Sequence, residues 1–234
     1  MATVHKSDKN SHRSIWIWLV VAIIFGLLAV HLLWSRLFFK NEWMVAAFFV
    51  SGIVANLAFG RFRANFSGFE GKDKTADFLG RRLPDVYHVL SAVPLVSSDG
   101  QTGFADAIVV GPNGVFALVI TNRNGTLSGG ENGDWKQDKV GQKGGEYTVS
   151  FKNPIKRLKR MVWIAADMCK HSGINAWVDG ICYFSNKEAT VQTSSPQCMT
   201  NENDVIRHIM TFQPRRMQSK QDVLSLVEMF KERM

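Results

Sequence analysis

Residues 104–121 read FADAIVVGPNGVFALVIT, and this stretch decides the fold. Residues 104–110 are apolar and rich in β-branched side chains, broken by one carboxylate, Asp106; they predict a strand. GPNG at 111–114 is the chemistry of a tight turn. Residues 115–121, VFALVIT, are nearly all apolar, as expected of a central strand covered on both faces.

Downstream, residues 122–148 are rich in Gly, Asn and Asp and hold Trp135, which predicts a long loop or ribbon. Asn153-Pro154 then starts a helix, with Asn as N-cap and Pro at the first helical position. The helix runs to about Lys170, with Ile155, Leu158, Val162, Ala165, Ala166 and Cys169 as its apolar stripe. Residues 177–184 (WVDGICYF) read as another strand and 203–210 as a short helix. Ser219 opens a last helix, with Asp222 three residues on as an approximate capping box. Upstream, 86–96 is strand-like, and 76–83 (ADFLGRRL) is a short amphipathic helix ended by Pro84. This order predicts an α/β domain with a mixed central sheet flanked by helices.

The first sixty residues are of another kind. Residues 15–34, IWIWLVVAIIFGLLAVHLLW, hold one ionisable side chain, His31, and are long enough to span a bilayer. The run is too long for a typical cleaved signal, and no small-residue cleavage site follows it. Residues 43–59 form a second apolar run, with Asn56 its one strongly polar residue, stopped by Gly60, Arg61 and Arg63. Two spans joined by the short segment 35–42 predict a transmembrane hairpin. Lys6, Lys9 and Arg13 before it, and Arg61 and Arg63 with Lys72 and Lys74 after it, outweigh Arg36 and Lys40 between the runs. Both termini and the main domain are therefore expected in the cytoplasm, with the chain in the cell (inner) membrane. The expected divisions are a tail at 1–14, spans at 15–34 and 43–59, a domain at 68–186, and its α/β completion at 187–234.

The 234 residues are 46 % hydrophobic and 21 % charged, enough for a packed core, and the formal charge is +8. A basic balance suits anionic partners, nucleic acid or a lipid surface. Residues 60–234 carry 23 Lys and Arg against 18 Asp and Glu, a modest excess for a dedicated nucleic-acid binder. Three cysteines without a CxxC pair exclude a disulfide scaffold, argue against a zinc site and fit a reducing compartment. The histidines have no metal-cluster spacing, the Gly-Gly pairs at 129–130 and 144–145 lack the context of a phosphate loop, and no Ser-His-Asp or Cys-His arrangement can be assembled. Lys152, Lys156, Arg157, Lys159 and Arg160 put five cations into nine residues with no acid among them. Of these, 156, 159 and 160 share a helix face away from the apolar stripe, a candidate surface for DNA, for anionic lipid, or simply for water.

The order and spacing of Gly71, Leu79, Leu83-Pro84, the strand 104–110, Gly114-Val115-Phe116-Ala117-Leu118, Asn122, Gly125, Trp135, Asn153-Pro154-Ile155 and residues 181–185 resemble the nuclease-related domain (NERD) family. That family is a branch of the PD-(D/E)XK nuclease superfamily, and the resemblance covers about 68–186. It implies a restriction-endonuclease-like fold and a divalent-metal site: an Asp on one strand, a Glu and a Lys two residues apart on the next, a Glu on the first helix and a Gln after the Asn-Pro. Carried over, the strand Asp is Asp106, but the Glu and Lys positions fall on Val119 and Thr121, the helix Glu on Lys72 and the Gln on Arg157. A valine cannot ligate a metal and a threonine cannot serve as the ammonium, so Asp106 is expected to be residual, either vestigial or bonded to backbone N–H groups.

The expectation is thus a membrane-anchored pseudoenzyme that binds DNA or a protein partner and has no metal and no small-molecule cofactor. The alternatives are an active Mg-dependent DNA nuclease with a migrated site, drawing on Glu70, Asp73, Glu131 or Asp134, and a structural subunit of a membrane assembly.

Overall fold

A computed structural model describes the backbone of residues 1–6, 11–38, 42–141 and 144–234. The side chains of 11–15, 32, 35–38, 42, 44 and 63–70 lie outside the described set, as do Lys9 and Lys40 entirely. Two compact units result, one of residues 1–7 and 71–234, the other of residues 8–70.

In the larger unit the predicted hairpin is the centre of a six-stranded mixed sheet. Its strands are β1 (Thr3–Lys6), β2 (His88–Val96), β3 (Thr102–Gly111), β4 (Gly114–Thr121), β8 (Val178–Phe184) and β10 (Cys198–Met199), in the order β1-β2-β3-β4-β8-β10. The turn between β3 and β4 needs Gly114, whose φ of 131° is unfavourable for any residue with a Cβ. β2, β3 and β4 are antiparallel, whereas β4 with β8, β8 with β10 and β1 with β2 are parallel. β4 is buried from Gly114 to Ile120, as its unbroken apolar run requires.

Period-two alternation sends Val115, Ala117 and Val119 to one face and Phe116, Leu118 and Ile120 to the other. The first face is covered by α3 (Pro154–His171) and α5 (Lys220–Lys231), the second by the end of α2 (Glu42–Arg82) and by α4 (Glu202–Thr211). Asn153 caps α3 and Ser219 with Asp222 forms the capping box of α5, both as the local sequence requires. The buried stripe of α3 includes Met161, Ile164 and Met168, while Val162 is half-buried and Ala166 exposed, a shift from the expected stripe. The longer methionine and isoleucine side chains reach across β3: a Cβ on Gly103 would lie 2.5 Å from Met161 Cε.

Of the two expectations for 122–148, a loop or a ribbon, the structure shows the ribbon. β5 (Gly125–Ser128), β6 (Trp135–Val140), β7 (Glu146–Phe151) and β9 (Ala189–Gln192) make a second sheet in the order β7-β6-β5-β9. Trp135 is its buried anchor, stacked on Phe184. Residues 3–6, within the expected tail, form β1 on the edge of the first sheet, and Ala2 N donates to Gly80 O at 2.9 Å.

The other unit contains α1 (Ser11–Phe38) and the first part of α2. Gly60 and Arg61 do not stop the second helix, which continues to Arg82 and absorbs the predicted helix 76–83; one glycine costs a helix only about 1 kcal/mol. Val45–Phe62, with a mean hydropathy of 1.6, is long and apolar enough to cross a membrane. Within α1, the described apolar stretch is Trp16–His31, shorter than a full span. Large apolar side chains such as Ile17, Leu27, Ile53 and Leu57 are exposed, and the buried positions described here are small: Ala29, Ser51 and Ala58.

Candidate functional site

The site is built around Asp106. Its strand position is decided by the apolar residues around it, and its carboxylate is fully buried. Oδ2 accepts from Ile120 N on β4 at 2.9 Å. Oδ1 lies 2.8 Å from Lys72 Nζ and 3.0 Å from an Arg157 guanidinium nitrogen. Two chain cations and one backbone donor thus enclose the carboxylate on a site where an isolated buried charge would be untenable.

Both cations come from elements placed by local features. Gly71 lets α2 approach the ends of β4 and β8 closely: a Cβ there would sit 2.9 Å from Asn122 Cβ and Ser185 Oγ. The next residue is Lys72. Arg157 is in the first turn of α3, where Asn153 fixes the helix start by accepting from Ile155 N and Lys156 N. The Asn153 amide also donates to the carbonyls of Gly130, Glu131 and Gly133, tying the loop before β6 to the same point. Arg157 gives a further hydrogen bond to Phe104 O at 3.0 Å.

A cleft of about 880 Å³ opens between the start of α3, β3, β4 and the second sheet. Val119 and Thr121 lie on its floor, and Arg123, Lys152, Lys156, Arg157 and Arg160 line it against one acid, Asp134. Arg123 is half-buried, stacks 4.3 Å over Phe151 and donates to Gln137 Oε1 at 2.8 Å. Arg160 donates to Thr102 O at 2.9 Å. The first-turn N–H groups of α3 are already taken by Asn153, so an anion entering the cleft meets side-chain cations and the helix dipole rather than free backbone donors.

Four of the five predicted basic residues line this cleft. Lys159 does not: it pairs with Glu131 at 2.7 Å on the exposed side. Arg157 lines the cleft and also pairs with the buried Asp106. The acids considered for a migrated site are dispersed. Asp73 pairs with Lys6, Glu131 with Lys159, Asp134 borders the cleft, and the Glu70 side chain lies outside the described set. Among the described residues no group of three or more His, Cys, Asp or Glu is placed to hold a metal ion. Sequence reasoning missed Arg123, whose only local signal is a cation just after the central strand. It also missed Lys72 as a partner of Asp106, a pairing that is entirely long-range.

A mixed sheet between helices, with one buried strand carboxylate joined through Arg157 to a basic cleft, defines a nuclease-like α/β module. The chain belongs to the nuclease-related domain family, whose model matches residues 67–185, just over half of its length. No curated protein and no solved structure matches it.

Proposed function

We propose that this chain is a membrane-held, catalytically silent nuclease-like module whose basic cleft binds the phosphate backbone of DNA. The observation that carries the reading is the pairing of Asp106 with Lys72 and Arg157. These are the two positions at which the family resemblance puts a Glu and a Gln. Two fixed cations stand where a carboxylate would need a divalent metal for company, and Val119 and Thr121 supply neither ligand nor ammonium. What remains is a concave surface of positive charge, suited to phosphates and unsuited to hydrolysing their esters.

Membrane attachment is supported by the exposed apolar side chains of α1 and of Val45–Phe62, which water would not tolerate in such number. The hairpin reading gains support from β1. Thr3–Lys6 pairs with His88–Ser91 in one sheet, so a chain that leaves through residues 8–70 must come back to the side it left. If α2 crosses, α1 crosses with it. The Lys and Arg counts then put both ends in the cytoplasm.

The test uses the full chain in detergent micelles. Fluorescence anisotropy with a labelled DNA duplex should show binding that weakens steeply with salt, and Mg²⁺ or Mn²⁺ should produce no cleavage. Cleavage lost on Asp106→Ala overturns the silent reading in favour of an active metal-dependent nuclease. Failure to bind DNA, with retention of a protein partner through residues 8–70, favours a structural subunit.

A further inference from the structure

We propose that Cys182 and Cys198 are a reversible redox pair, which a peroxide joins into a disulfide and a thiol reductant reopens. The two residues are direct partners in the parallel ladder between β8 and β10. Adjacent strands lie about 4.8 Å apart, inside the window of about 4.4–6.8 Å between Cα atoms that a disulfide requires. Cys182 is fully buried, whereas Cys198 is half-buried on a two-residue strand at the sheet edge, so oxidant reaches the pair through Cys198. The hydrogen bond from the Cys182 thiol holds the Cys198 thiol below the ordinary cysteine range. The same bond, with burial, pushes Cys182 up. Of the two sulfurs, Cys198 is the one that ionises more readily. Cys169, buried in α3, is pushed up to about 12 by desolvation and stays inert.

The chemistry closes without a further reagent. The Cys198 thiolate attacks one oxygen of hydrogen peroxide, the O–O bond breaks, and sulfenic acid and water result after proton uptake. The Cys182 sulfur then attacks the sulfenic sulfur, the S–O bond breaks, and the departing hydroxide leaves as water with the Cys182 proton. A disulfide of this kind is compatible with a reducing compartment, where such bonds are transient and serve sensing. Its position links it to the cleft. Val119, which lines the cleft, is the ladder partner of Cys182. Arg157 and Asp106 are both close enough to act electrostatically on Cys182.

Trypsin separates all three cysteines, into peptides 161–170, 171–187 and 188–207. The full chain, reduced and then exposed to hydrogen peroxide, is alkylated and digested for mass spectrometry. Expected are a cross-linked 171–187/188–207 pair, an alkylated Cys169, a monomer on a non-reducing gel, and full return of both thiols after dithiothreitol. A Cys198 that ends as sulfinic acid beside an alkylated Cys182, or a cross-link between two chains, overturns the proposal. So does the absence of any oxidation at either residue. Cys182→Ser should trap Cys198 as a sulfenic acid captured by dimedone. Cys198→Ser should leave Cys182 reduced, and loss of its thiol in that variant would overturn the assigned order of attack.

Discussion

Asp106 shows how one side chain sets the character of a site. A fully buried carboxylate held by Ile120 N, Lys72 and Arg157 is satisfied in place. Lys72 and Arg157 are each partly exposed, so removing Asp106 releases them toward water, whereas removing both cations strands the carboxylate. We therefore expect the double variant Lys72→Met with Arg157→Met to lose about 3–5 kcal/mol in urea unfolding, the scale for breaking a buried pair from one side. Adding Asp106→Asn to that background should restore most of the loss. If the double variant is as stable as the parent chain, Asp106 is not held by these cations. Asp106 was legible in the sequence as a carboxylate inside an apolar strand. Its partners were not, because Arg157 lies 51 residues away and only the fold brings it back.

At the scale of elements, α3 and β1 carry opposite lessons. The start of α3 follows from Asn153-Pro154 alone, and its cations line one wall of the cleft. Replacing Lys152, Lys156 and Arg160 by alanine should weaken DNA binding and lower the log–log salt slope by about 0.9 for each lost phosphate contact. Stability should change by no more than about 0.5 kcal/mol per position. Lys159→Ala, outside the cleft, should leave anisotropy titrations unchanged; equal effects from both variants would make the basic run a diffuse charge and not a cleft. β1 is held by four ladder pairs to β2 and by the bridges of Lys6 to Asp73 and Asp77 on α2. His5 on β1 stacks on His88 of β2 with ring centroids 5.8 Å apart. Burial first, then Lys231 and, for His5, the facing His88, pull these imidazoles below the usual 6.5, against a smaller opposing effect of Glu228 on His5. The unfolded strand then binds protons more readily than the folded one. Stability contributed by the pair is present above about pH 6.5 and is lost as pH falls below that value toward the depressed folded pKa values. Hydrogen exchange at the amides of residues 4–6 should accelerate, beyond its intrinsic pH dependence, between pH 7 and 5. Unchanged protection there would show that the two rings do not govern the strand.

At the scale of the whole chain, the proposed membrane anchor and the β1–β2 pairing together require both ends of residues 8–70 on one side of the membrane. Reporters placed before Ala2 and after Met234 should register on the same side of the membrane; opposite sides would reduce the anchor to a single crossing and detach β1 from its sheet. Much of this architecture was readable from local sequence. Apolar periodicity marks β3, β4, β8, α3 and α5, caps mark two helix starts, and apolar run length marks the segment that contains Val45–Phe62. These signals are local because helix caps, turns and side-chain alternation act over a few residues. Tertiary structure alone decided the rest: β1 and β10 are too short to declare themselves and exist by ladder bonds to β2 and β8. β5–β7 form from a Gly- and Asn-rich stretch only because Trp135 buries against Phe184. The same holds for the site, since a carboxylate, a lysine and an arginine on three separate elements become one electrostatic unit only when packing removes the water between them.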